Sequence, residues 1–114
     1  MSEDLYPKAT RELAELRHRL APEAADAFRT FGEVVFKDGA LPAKIKQIVA
    51  VAVAHVTQCP YCIQGHTKAA LKAGATPEEL MEAVWVAAEM RAGGAFAHAT
   101  LMLDTVQRRS AGQG

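Results

Sequence analysis

Proline divides this chain at intervals that leave helices as the natural reading. Pro22 precedes Glu23-Ala24-Ala25, Pro42 precedes Ala43-Lys44-Ile45, Pro60 directly follows Cys59, and Pro77 stands between Thr76 and Glu78-Glu79. Proline suits the first position of a helix, where its missing N–H would lack a partner anyway. Pro7 opens the first segment less distinctly. Thr76-Pro77-Glu78-Glu79 also has the threonine and the acid of a capping box. With Gly39, Gly74 and Gly93-Gly94 read as stops, the pattern predicts six helices, at about 8–20, 22–37, 42–57, 60–73, 77–92 and 94–109. Half of the 114 residues are hydrophobic but only 6% are aromatic, and alanine is abundant, which favours closely packed helices over a sheet sandwich. The expected fold is all-α, a single domain over residues 1–114 with a real but small core.

The first helix is amphipathic, with Leu13, Leu16 and Leu20 on one side and Arg11, Glu12, Arg17 and Arg19 elsewhere. The third, built on Ile45, Ile48, Val49, Ala52, Val53 and Val56, is apolar nearly all round and should be central. Leu80, Met81, Val84 and Trp85 follow in the fifth, and Phe96, Leu101, Leu103 and Val106 in the sixth. So much apolar surface on a short chain implies cover by other subunits. Ile48 to Val53 alternates small and branched residues and could be a strand. A strand before Cys59-Pro60-Tyr61-Cys62 would copy thioredoxin and glutaredoxin folds. Those folds need further strands and a cis-proline loop. No second β-rich run follows, and Pro77 opens a helix, so residues 42–57 are read as helical.

Acidic and basic residues balance at 13 each. No broad field exists to hold nucleic acid or an anionic membrane, and neither is expected as a partner. Ile48 to Val56, the longest apolar run, is interrupted by His55 and too short to span a bilayer. The acidic Met-Ser-Glu-Asp start has no apolar stretch behind it, so no signal peptide and a cytoplasmic location are expected. Structural disulfides are rare in that compartment, where a Cys-x-x-Cys more often cycles or binds metal.

Cys59 and Cys62 are the only cysteines, and His66 stands four residues after the second. Two thiols at this spacing can close a small disulfide. A histidine one turn on shares the helical face and can exchange protons with sulfur. The alternatives are a structural thiol pair and half of a zinc site. Cys59 falls at a helix start, where unpaired N–H groups favour a thiolate. His66 could take the proton of Cys62 or, as a cation, stabilise its anion. His55 joins Cys59, Cys62 and His66 along one helical face, but that face would be roughly 16 Å long at about 1.5 Å per residue. Four zinc ligands must converge within ~2.3 Å of one ion. His55 is therefore expected to pack near the site, with no metal and no cofactor; His18 and His98 have no motif around them.

Together these residues resemble the carboxymuconolactone decarboxylase/alkylhydroperoxidase D (AhpD-like) family. The likeness runs from about Phe31 through His98. It rests on Leu41-Pro42-Ala43-Lys44-Ile45-Lys46, the apolar helix, Cys59-x-x-Cys62-x-x-x-His66, the segment Ala69 to Glu79, and Gly93-Gly94. The resemblance implies a multihelical, all-α homo-oligomer, with a hexamer favoured and a trimer as the alternative. It also implies a thiol-dependent peroxidase that reduces a small-molecule hydroperoxide and is recharged by a dithiol or protein electron donor. In its terms Cys62 is peroxidatic, Cys59 resolving and His66 the proton carrier, although the helix-start argument makes Cys59 the more acidic thiol. The family's motif has a glutamate twelve residues before the first cysteine, where this chain has Gln47. An amide can orient His66 but cannot accept and release a proton at neutral pH. Glu33 is the first substitute for that carboxylate and Glu82 the second. Tyr61 could position a peroxide oxygen or simply pack. The decarboxylase branch fits less well, since it generally lacks the cysteine pair. A redox-exchange or redox-sensing oligomer without peroxidase turnover, and a zinc-binding structural protein, are the competing functions.

Overall fold

A computed structural model describes residues 5–112. Those residues form α1 (Arg11–Leu20), α2 (Pro22–Val35), α3 (Ala43–Thr57), α4 (Pro60–Lys72) and α5 (Pro77–Ser110). The all-α expectation holds, with no strand among the described residues, and Ile48 to Val53 lie inside α3.

Helix starts follow local chemistry closely. Pro22, Pro60 and Pro77 open α2, α4 and α5, and Pro42 caps α3. Asp38 reinforces the start of α3, its carboxylate accepting from the Ala43 N–H at 2.6 Å. The capping box forms as expected, with Glu79 N–H donating to Thr76 Oγ1 at 3.1 Å and Thr76 N–H donating to Glu79 Oε1 at 2.8 Å. Pro7 does not open a helix. Thr10 does, by accepting the Leu13 N–H at 3.3 Å, and the first helix begins at Arg11 rather than near residue 8.

The expected fifth and sixth helices are one. α5 runs unbroken for 34 residues through Gly93 and Gly94. A mid-helix glycine costs about 1 kcal/mol relative to alanine, which alone does not end a helix; a glycine stop is one that turns left-handed as the chain leaves. Gly74 meets that condition, with φ of 99° and Thr76-Pro77 just beyond. Gly93-Gly94 is flanked by Ala92, Ala95 and Ala97, and the helix continues.

α3 and α4 form an antiparallel pair, and α5 packs along α3. Their shared core is small: Val51, Ala70, Ala75 and Leu80, with Ile48 and Val84 against it. Alanine dominates, so the helices approach closely but hide little area. α3 buries Val51 and Ala54 only, leaving Val49 and Val53 about half exposed; the all-round cover expected for it is not supplied by one chain. α1 and α2 pack chiefly on each other. Lys46 Nζ ties the end of α2 to α3, donating to the carbonyls of Val35 at 2.8 Å and Lys37 at 2.6 Å. Such a cation satisfies carbonyls left open at a helix terminus.

The chain is correspondingly extended. Its radius of gyration is 20.0 Å, against about 13 Å for a compact chain of this length. It exposes 9367 Å², against roughly 6,100 Å² expected for a folded monomer of this mass. Phe28, Phe31, Trp85, Phe96 and Leu101 are among its exposed apolar side chains. Among the described residues no helix is long and apolar enough to cross a membrane.

The cap at Thr76 also ties α5 to α3, because Lys44 Nζ lies 3.2 Å from Glu79 Oε2. The Thr76 N–H first, and then Lys44, hold the Glu79 carboxyl below its ordinary value near 4.5. A carboxyl lowered in the folded state adds stability above its unfolded value and loses it as pH falls through the folded one. Glu79→Gln should therefore be less stable than the parent at neutral pH, and the difference should shrink as pH drops below 4.5. Urea midpoints measured across that range check this.

Candidate functional site

Between α3 and α4 the chain reverses in two residues. Gln58 ends α3 in the left-handed region, with φ of 56° and its N–H bonded to the Ala54 carbonyl. The Cys59 N–H reaches the same carbonyl at 3.1 Å, and Arg91 of α5 donates to the Val56 carbonyl at 2.9 Å. Orphan acceptors at the end of α3 are thus met from both sides. Cys59 is at once the residue after that turn and the N-cap of α4. Its sulfur accepts the Cys62 N–H at 3.3 Å, so a cysteine fills the position usually held by serine or aspartate.

Cys59 and Cys62 are joined as a disulfide, with Cα atoms 5.2 Å apart, well inside the range such a bond accepts. Both are half-buried. One turn on, His66 projects from the Cys62 side of α4, half-buried as well. Its Nδ1 lies 2.7 Å from Gln47 Oε1 on α3. An amide oxygen only accepts, so Nδ1 carries the hydrogen and, in the neutral ring, Nε2 is the basic nitrogen. Phe36, just past α2, stacks on the imidazole with ring centroids 5.1 Å apart and planes 27° from parallel. Its six-membered face limits the ring's rotation and narrows its access to water.

Four of the expected residues, Cys59, Cys62, His66 and Gln47, therefore come together where α3 and α4 run side by side. Glu33 does not join them. Its carboxylate lies 3.9 Å from Arg29 Nε, and its side chain is 69% exposed. Glu82 is exposed on α5. Among the described residues the ring nitrogen partner of His66 is the amide of Gln47, and no ion pair reaches it from a carboxylate. His55 is bonded to its own helix, Nδ1 lying 2.8 Å from the Val51 carbonyl. His98 does the same at Gly94, also at 2.8 Å. No group of three or more His, Cys, Asp or Glu side chains among the described residues is placed to hold a metal ion.

Tyr61 turned out to be held from outside the helix. Its hydroxyl donates to the Pro7 carbonyl at 2.7 Å, and Tyr6 meets its ring edge-on with centroids 5.9 Å apart. Sequence reasoning missed Phe36, because nothing local marks an aromatic thirty residues from its partner. A cleft of about 1060 Å³ lies between α1 and α2 around Arg11, His18 and Phe28. None of the residues around the cysteines lines it, and we attach the chemistry to the sulfurs and imidazole rather than to cleft size.

Residues 22–105 match the model of the carboxymuconolactone decarboxylase family, a wider span than the motifs alone suggest. The chain is 55% identical over 103 residues to the Paracoccus denitrificans protein named uncharacterized protein 4 in cox locus, covering 90% of this chain and 92% of that one. A crystal structure of a protein from Methanobacterium thermoautotrophicum is similar with a TM-score of 0.70 and 38% identity, over 74% of this chain and 94% of that one. The apo structure of a carboxymuconolactone decarboxylase family protein from Legionella pneumophila gives a TM-score of 0.64 and 39% identity, over 69% and 70% of the two chains.

The left-handed residue that aims the cysteines is open to test. An L side chain is strained there by about 1–2 kcal/mol, a cost that Gln58 already carries, that a branched β-carbon increases and that glycine avoids. Gln58→Val should therefore lower stability and Gln58→Gly should keep or raise it, as read from urea unfolding with the disulfide intact.

Proposed function

The chain belongs to the carboxymuconolactone decarboxylase family, and from that premise we propose that it is a thiol-dependent peroxidase working through Cys59, Cys62 and His66. The observation that carries this reading is the pairing of a closable Cys59–Cys62 couple with a half-buried imidazole whose tautomer is fixed by Gln47. Neither cysteine is fully buried.

In this mechanism Nε2 of His66 takes the Cys62 proton. The thiolate attacks the terminal oxygen of a hydroperoxide; the S–O bond forms as the O–O bond breaks, and the alkoxide leaves as an alcohol with the proton returned by His66. Cys59 then attacks the sulfenic sulfur, the S–S bond forms, and water departs. An external dithiol reopens the disulfide by two exchanges and is itself oxidised to a disulfide. The attacking role of Cys62 comes from the family resemblance. Cys59, under the Cys62 N–H at the positive end of α4, is the better-stabilised anion and so the better leaving group when the couple is reduced.

A second reading has its own observation. Gln47 holds the Nδ1 hydrogen of His66 but cannot receive it, so the proton relay ends at the imidazole. This favours thiol–disulfide exchange or redox sensing with slow peroxide turnover. The two readings part in one assay. Peroxide consumption with a dithiol donor should be lost in the Cys59→Ser/Cys62→Ser variant. Gln47→Glu, which adds a proton acceptor, should raise the parent rate by about tenfold or more. A parent no faster than the double variant would reject the peroxidase and leave exchange.

We also propose that the working form is a homo-oligomer, a hexamer by family resemblance. Its support is physical: an excess of roughly 3,000 Å² over the surface of a compact monomer is what obligate interfaces cover. Light scattering should give a multiple of 12.2 kDa, and Phe28→Asp/Phe31→Asp should reduce it. A parent that scatters as one chain would refute the assembly.

A further inference from the structure

Two contacts fix α5 alongside α3. Lys44 near the start of α3 lies against Glu79, and Arg91 donates to the Val56 carbonyl near its end, so the two helices run in the same direction. Past Arg91, residues 92–110 continue beyond the end of α3, for roughly 28 Å at about 1.5 Å per residue. On that length Phe96, Leu101, Met102, Leu103 and Val106 are each more than half exposed.

The apolar pattern of α5 reads alike from both ends. Met81 and Trp85 stand near its start, Met102 and Val106 near its end, and alanine fills positions 88, 92, 95 and 99 between them. The steps alternate between four and three residues throughout, which places the whole set on one stripe of the helix. Leu80 and Ala87, the residues that α5 buries, lie off this stripe. Ala99 is half-buried, and every other member of the stripe is exposed.

Turned end for end about Gly93-Gly94, the midpoint of the helix, the stripe falls on itself. Met81 then meets Val106, Trp85 meets Met102, and alanine meets alanine between them. Glu78 in the first turn comes opposite Arg109 in the last. Parallel pairing would instead set Glu78 against Glu78 and Arg109 against Arg109. A surface complementary to itself under a two-fold rotation is what an isologous contact requires.

We propose that this stripe is a two-fold interface, on which α5 of a second copy of the chain lies antiparallel to the first. The proposal rests on the homo-oligomer reading above, to which it adds a face, a direction and a register. The projecting half of each helix lies along the half that α3 supports in the other copy. The central alanines let the two backbones approach closely, and Trp85 of each copy packs on the Met102 thioether of the other.

Trp85 is the only tryptophan, and Met102 of its own chain is roughly 25 Å away along the helix, too far to touch it. Met102→Glu should nevertheless shift the Trp85 emission to the red, because the methionine beside the indole belongs to the other copy. Ala92→Glu/Ala95→Glu sets carboxylates face to face at the centre of the pair. It should cause the same shift and halve the mass found by light scattering. Both alanines are exposed on one chain and glutamate is a good helix former, so the circular dichroism of the variant should stay helical. Ala97→Glu, exposed on the far side of α5, should leave the emission unchanged.

Cross-linking reads the direction. In a Cys59→Ser/Cys62→Ser background, chains with Ala88→Cys and chains with Ala99→Cys should join on mild oxidation when co-expressed. Neither should join to itself, since antiparallel pairing leaves like positions about 16 Å apart and a disulfide needs Cα atoms within about 7 Å. Self-joining of either variant, or no joining in the mixture, overturns the register. Unmoved Trp85 emission in Met102→Glu, or an equal shift in Ala97→Glu, overturns the face. An oligomeric parent whose mass survives Ala92→Glu/Ala95→Glu, or one with an odd number of chains, overturns the interface while the assembly itself stands; a parent of one chain removes both.

Discussion

Because α3 ends in one left-handed residue and α4 starts two positions later, the chain must fold straight back, and His66, two turns into α4, returns alongside Gln47. That reversal makes the site. It places Cys59 where a helix offers its unpaired N–H groups, and Cys62 one turn above. Its anchors are spread over the fold: the Ala54 carbonyl within α3, and Arg91 reaching across from α5 to Val56. The long last helix thus serves the cysteines without contributing a side chain to their chemistry.

The same composition that makes the helices leaves them undercovered. Alanine at positions 54, 70, 75 and 87 lets backbones come close, but each alanine removes little apolar area from water. The large side chains lie mostly outside this core. Phe28 and Phe31 of α2 and Trp85, Phe96 and Leu101 of α5 stay exposed, and the end of α2 meets the rest where Phe36 stacks on His66 and the Val35 and Lys37 carbonyls accept from Lys46 of α3. Stability in a single chain comes from capping, short turns and a handful of contacts more than from bulk burial.

Much of this was legible in the sequence, and the division has physical causes. Proline and capping residues act on their own neighbours, so the starts at Pro22, Pro60 and Pro77 and the box at Thr76–Glu79 could be read directly. Gly93-Gly94 could not, because whether glycine ends a helix depends on the geometry the following residues adopt. The sulfur pair and His66 were visible because their spacing is itself the geometry. Gln47 was found through family resemblance, not from anything local to it. Glu33 stands beside the apolar Phe31 and Val34, which in sequence look like a buried face but are exposed, as Glu33 is. Phe36 lay beyond reach, since a stacking partner brought in by the fold of another helix leaves no periodic mark.

The Gln47–His66 contact carries a rule about chain length. Each extra residue in a helix rotates everything after it by about 100°. One insertion or deletion in α3 after Gln47, or in α4 before His66, would swing amide and imidazole onto different faces. Natural variation in spacing should therefore be frozen inside the two helices of the hairpin.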